Sequence, residues 1–192
     1  MSEDGSAEGS GPSGSLGPWD VADVDGPEGR LDFGSLWVRG LDGLAVQAQV
    51  DEATGAVGVI TLNFGQGGLQ LQAFAAPRTG GLWEEVRGKL RASVTSQGGV
   101  IEEEQGEHGI ELRGRVPGQG GLQPVRFVGV DGPRWFLRGL FLGEAAAPGG
   151  SPQLEQVFRE VVVVRGDEAM PMGESLPMRL PQGGAPGPIP AA

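Results

Sequence analysis

Arg113, Arg126, Arg134 and Arg138 lie in a stretch that alternates like paired strands, and they are the residues best suited to chemistry. A guanidinium stays charged at physiological pH and offers a flat fork of N–H donors that matches a carboxylate or a phosphate. In the run RWFLRG, Arg134, Phe136 and Arg138 share one side, and Trp135, Leu137 and Gly139 the other. If the Trp135 side meets the helices, Arg134 and Arg138 face outward, with Arg113, Arg115 and Arg126 on neighbouring strands beside them. Such a face can bind an anion, dock a carboxylate-rich partner or stack on bases. The same arginines can instead pair across strands with glutamates such as Glu111, or hold the acidic N-terminal segment of the chain.

Other chemistries find less to work with. The single histidine, His108, falls in the turn Gly106-Glu107-His108-Gly109 and lacks the second and third ligands that a specific transition-metal site needs. No serine sits in a G-x-S-x-G elbow, and there is no cysteine, which removes thiolate catalysis and disulfides. Gly65-Gln66-Gly67-Gly68 lacks the Lys and Thr of a phosphate loop and leads into a strand. Glu84-Glu85 and Glu102-Glu103-Glu104 are neighbours in sequence, so a helix or a strand turns them apart. No catalytic residue, metal or cofactor is assigned.

The elements that position the arginines follow from periodicity. Leu44 to Val50, Val57 to Phe64 and Leu69 to Phe74 read as an antiparallel meander. Leu82, Trp83, Val86, Leu90 and Val94 recur at helical spacing, with Thr79 as the expected N-cap and Gly98-Gly99 as the stop. Gly88 inside that helix suggests close contact with the sheet. Val100 to Gln105 and Ile110 to Val116 form a hairpin, as do Val125 to Val130 and Arg134 to Leu142 around an Asp131-Gly132-Pro133 turn. Ser151-Pro152 starts a second helix carrying Leu154, Val157, Phe158 and Val161, and the β-branched run Val161 to Val164 reads as a short final strand. Gly34 to Arg39 is an edge strand or lead-in. The order three strands, helix, four strands, helix implies an α+β fold. Its sheet is antiparallel, of about six to seven strands, with two helices packed on one face.

Composition sets the outer limits. The 37 glycines and 15 prolines concentrate toward the ends, so residues 1–33 read as an acidic disordered tail, 34–167 as one domain and 168–192 as a Pro/Gly-rich tail. The net charge is −11, and no basic face exists to drive general nucleic-acid binding. No apolar run is long enough for a membrane helix, and the opening residues do not look like a secretory signal, so a cytoplasmic protein is expected. Oligomeric state is not readable.

GPWDVADVD at Gly17 to Asp25, LQLQAFAAPRTGGLWEEVR at Leu69 to Arg87, LQPVRFVGVDGPRWFLRG at Leu122 to Gly139 and FREVVVVRGDEAMP at Phe158 to Pro171 resemble the actinobacterial family of unknown function DUF3710. The resemblance runs from Gly17 to Pro181 and implies no established activity, cofactor or catalytic residue. It points toward nucleotide or nucleic-acid metabolism through the genes that accompany the family. The strand and helix order also resembles Mog1/PsbP-like α/β sandwiches. The leading expectation is a non-enzymatic interaction module for a protein or anionic partner. The alternative is an enzyme or binder acting on a nucleotide or single-stranded nucleic acid.

Overall fold

The computed structural model describes residues 16–182. In chain order it forms β1 (Trp19–Asp20), β2 (Arg30–Asp32), β3 (Leu36–Arg39), β4 (Ala45–Val50), β5 (Val57–Phe64), β6 (Gly67–Ala75) and α1 (Leu82–Ser96). Then follow β7 (Val100–Gly106), β8 (Gly109–Gly118), β9 (Gly121–Gly132), β10 (Trp135–Gly143), α2 (Pro152–Arg159) and β11 (Val162–Val163). Strands β4 to β10 make a seven-stranded antiparallel sheet in the order β4-β5-β6-β10-β9-β8-β7. The two meanders therefore meet at the β6–β10 pair, where Phe136 faces Phe74 and Arg138 faces Gln72. A second, four-stranded sheet has the order β1-β11-β3-β2 and is mixed, because β1 runs parallel to β11.

Both faces of the large sheet are covered, which corrects the expectation of helices on one side only. Leu69, Leu71, Ala73, Trp135, Leu137 and Phe141 point to the α2 side and join Phe33, Leu36, Val38 and Phe158 in one core. Phe74, Phe127, Phe136 and Leu112 point to the α1 side and pack with Trp83, Val86, Leu90 and Val94 in another. Two glycines on adjacent central strands seat the two helices. A Cβ on Gly129 would lie 2.2 Å from the Trp83 ring, and one on Gly139 would lie 2.6 Å from the Phe158 ring. Glycine is required where a helix aromatic lies flat on backbone.

Thr79 does not cap α1. Its N-cap is Gly81, which has no side chain to offer, and Asp131 of β9 accepts from the Leu82 and Trp83 N–H groups instead. The helix ends as expected: Gly98 takes φ +83°, its N–H donates to the Thr95 carbonyl, and Gly99 N–H donates to the Val94 carbonyl. That is a Schellman ending. Gly88 touches nothing with its missing side chain, so the close contact expected there does not exist. Ser151 caps α2 through its hydroxyl, with Pro152 first in the helix, and the chain leaves the helix for β11.

The fold takes in more chain than the span 34–167. Strands β1 and β2 precede it, and the Trp135 indole N–H donates to Asp20 at 2.7 Å. Beyond Leu71, β5 no longer pairs with β6, and the C-terminal segment takes its place. Leu176 N–H donates to the Ala73 carbonyl at 2.9 Å, and Ala75 N–H to the Glu174 carbonyl at 2.8 Å. Leu176 and Met178 are buried there. The tail expectations for residues 1–15 and 183–192 lie outside the described residues. Among the described residues, no helix is long and apolar enough to cross a membrane.

Candidate functional site

The four arginines go to three places. Register decides this. The turn consists of Pro133 and Arg134, with Trp135 paired to Gly132, so Arg126 stands opposite Phe141. A turn at Asp131-Gly132-Pro133 would instead have set Arg126 opposite Arg138. The odd shift between the two moves Arg126 to the other face of the sheet.

On the α2 side, Arg113 and Arg126 sit in a network of carboxylates. Arg126 is 5% exposed and lies 3.5 Å from Glu111, which is 1% exposed. It also pairs with Glu155 of α2, and its guanidinium carbon sits 4.0 Å from the centre of the Phe141 ring. Arg113 reaches Glu104 at 2.9 Å and Glu111 at 3.5 Å, and donates to the Ala146 carbonyl. Burial pushes the Glu111 carboxyl above its ordinary pKa, against the pull of Arg126 and Arg113. Nearby, Arg159 of α2 forms a two-point pair with Glu107, which lowers the Glu107 pKa. His108 stands edge-on to Phe158 with its Nε2 buried and unpartnered, and burial lowers its pKa. These groups tie α2 to the β7–β8 hairpin and to β9, and two arginines there face three carboxylates.

Arg134 occupies the second turn position with φ +64°. Proline before a positive φ is the pattern of a type II turn. Its carbonyl accepts from Ala76 N–H at 3.0 Å and from Arg165 Nε at 3.1 Å. The residue works here through its backbone.

Arg134 and Arg138 are the two whose side chains make no ion pair among the described residues, and Arg138 is the one of them that lines a concave site. It lies on the α1 side, half-buried, in a groove of about 510 Å³ between α1 and the β6–β10 pair. Its guanidinium carbon is 5.5 Å from the centre of the Phe74 ring. Phe74 stacks on Phe136, and Phe136 on Trp83, each at 5.8 Å. The Gln72 side-chain oxygen accepts from one Arg138 nitrogen, while the Gln72 amide donates to the Gly58 carbonyl, so Gln72 is held while it holds Arg138. Among the described residues no carboxylate lies within ion-pair distance of Arg138. Its Nε and Nη1 make no hydrogen bond to the described residues and are not sealed from the surface. Burial lowers the Arg138 pKa. Leu82, Glu85, Val86 and Lys89 of α1 form one wall, with Pro77, Gly80 and Gly81 at the end and Met172 at the other side. Lys89 pairs with Glu85 at 2.5 Å.

A family model described as "Protein of unknown function (DUF3710)" matches residues 17–186. The chain belongs to the DUF3710 family. No curated protein and no solved structure matches it, so the likeness to Mog1/PsbP-like sandwiches rests on element order alone. In this DUF3710 protein, Arg113 and Arg126 come together, Arg138 lies across the sheet from them, and Arg134 belongs to a turn. Gln72, Phe74, Val86 and Met172 carried no sequence signal as site residues. They meet Arg138 only through the β6–β10 register and the crossing of α1, which spacing along the chain does not encode. Among the described residues, no group of three His, Asp or Glu side chains is placed to hold a metal ion.

Proposed function

We propose that this DUF3710 protein is a binding module and not a catalyst. It recognises an anionic group through Arg138 in the groove between α1 and the β6–β10 pair. One observation carries the reading: Arg138 is a half-buried cation lining the groove, held by Gln72 and an aromatic ring, with no carboxylate partner among the described residues and with Nε and Nη1 not sealed from the surface. Burying a charge costs free energy that a partner must offset. The three acids around Arg113 and Arg126 supply that offset inside the fold, whereas an incoming anion would supply it for Arg138. The groove volume also falls in the range of small-ligand sites, about 300–1,000 Å³. A cytoplasmic location belongs to the same reading and rests on the cysteine-free composition.

Thermal-shift titrations of the full chain with acetate, phosphate, a nucleoside monophosphate and an apolar carboxylate test this. At least one anion should raise the melting temperature by linkage. Arg138→Gln should remove that rise, and Arg134→Gln should leave it intact. A panel with no Arg138-dependent shift withdraws the proposal.

A further inference from the structure

We infer that the groove takes a monocarboxylate carried on an apolar, preferably aromatic, body. The inference rests on the Arg138 reading and names the class of anion that site would accept.

Charge counting points to a single negative charge. Among the described residues Arg138 is the one unpaired cation lining the groove, since Lys89 is matched by Glu85 on the same helix. With Glu85 matched to Lys89 the groove lining nets one positive charge, and the whole chain carries −11. A phosphate monoester brings nearly two charges and a nucleoside triphosphate more. Such a ligand would meet one guanidinium and a field that repels the remainder. A carboxylate brings one charge and two coplanar oxygens, which suit one fork of the guanidinium, since Gln72 takes a single Nη2 N–H and leaves the other fork complete.

The walls specify the rest of the ligand. Leu82, Val86, Pro77, Phe74 and Met172 present apolar surface around the cation, and Met172 is 71% exposed. An exposed methionine beside a groove suits a flexible apolar contact, and thioether sulfur packs well against aromatic rings. Phe136 and Trp83 are themselves buried, so they support Phe74 from beneath and offer no free ring for a run of stacked bases. One charge deep in the groove with hydrocarbon around it describes an aromatic or branched acid. That group can be a free metabolite or the end of a peptide chain.

Calorimetric titration of the full chain distinguishes the cases. The probes are hydrocinnamate, hydrocinnamide, adenosine monophosphate and a blocked peptide ending in a free phenylalanine carboxylate. Hydrocinnamate should bind at least about tenfold more tightly than hydrocinnamide, the share expected of one charge-assisted pair. It should also outbind adenosine monophosphate. Arg138→Gln should erase the difference between acid and amide, and Met172→Glu, on an exposed side chain, should weaken the acid without disturbing the fold. A peptide that outbinds hydrocinnamate assigns the site to a chain end, and the reverse order assigns it to a free acid. If adenosine monophosphate binds through Arg138 and neither carboxylate does, the monocarboxylate assignment is overturned while the anion site stands. If no probe shows Arg138 dependence, both are overturned.

Discussion

Arg126 and Arg138 are the same residue type on adjacent strands, yet their substitution should have opposite signatures. Arg126 sits at the centre of a buried ionic network, so removing it takes from Glu111 one of the two guanidiniums that stand 3.5 Å away. Breaking such a pair from one side costs about 3–5 kcal/mol. Arg126→Gln should therefore lose several kcal/mol in urea unfolding, toward the lower end because Arg113 still reaches Glu111. Arg126→Met combined with Glu111→Leu should recover much of that loss, since an apolar pair of similar volume replaces the ions. Arg138→Gln breaks no ion pair and should change stability by less than about 1 kcal/mol. Equal losses at the two positions would contradict the division between a saturated and an available arginine. Arg134 is a third case, because only its backbone is used. Arg134→Gly relieves a positive φ on a side-chain-bearing residue and should be neutral to stabilising by up to about 1 kcal/mol.

At the scale of elements, the two helices are held by different means, and glycine marks the difference. Gly88 is exposed in the middle of α1 and its missing side chain meets nothing. Gly88→Ala should raise unfolding free energy by about 0.5–1 kcal/mol through helix propensity alone. Gly129→Ala, two strands from the edge, should do the reverse: the new methyl would strike the Trp83 ring and cost about 1–3 kcal/mol by overpacking. Paired chemical denaturation curves check both. The seven strands of the large sheet, both helices and the Ser151-Pro152 start were legible because period and turn residues are local signals. What was not legible depends on contacts between distant segments. Asp131 caps α1 at Leu82 from 49 residues away, where the sequence offered Thr79 as the nearer choice. The four-stranded sheet joins Trp19 to Val162, and the two residues of β1 have no period to detect, although β11 was legible from its β-branched run. The site was half legible. Arginines on sheet faces could be named, but their division between faces depends on the chain turning at Pro133-Arg134 and not at Asp131-Gly132-Pro133.

At the scale of the whole molecule, α2 closes one face of the sheet, and its attachment can be followed through pH. The groups facing His108 are Glu107 on its own hairpin, Glu155 and Arg159 from α2, and Arg126 from β9, with Phe158 against the ring. Burial lowers the His108 pKa, and the carboxylates only partly oppose it. The unfolded chain thus takes up this proton at a higher pH than the folded chain. Stability from this residue is present above about pH 6.5 and is lost as pH falls from there toward the folded value. One proton limits the slope to about 1.4 kcal/mol per pH unit. Acidic groups act lower: Glu107, with its lowered pKa, loses stability only as pH falls below its ordinary value near 4.5. Glu111 has the opposite sign, its pKa being raised, so its contribution is full below about 4.5 and falls away as pH rises through the raised value. His108 is the only histidine in the sequence, so the interval from pH 5 to 7 separates its effect from those of Glu107 and the exposed acids. Urea unfolding across that interval should show wild-type stability declining toward pH 5 more steeply than His108→Phe, which keeps an edge-on ring for Phe158 and cannot be protonated. Parallel curves for the two proteins would mean that His108 is as well solvated in the fold as in the unfolded chain, and that α2 is not held over a buried neutral imidazole.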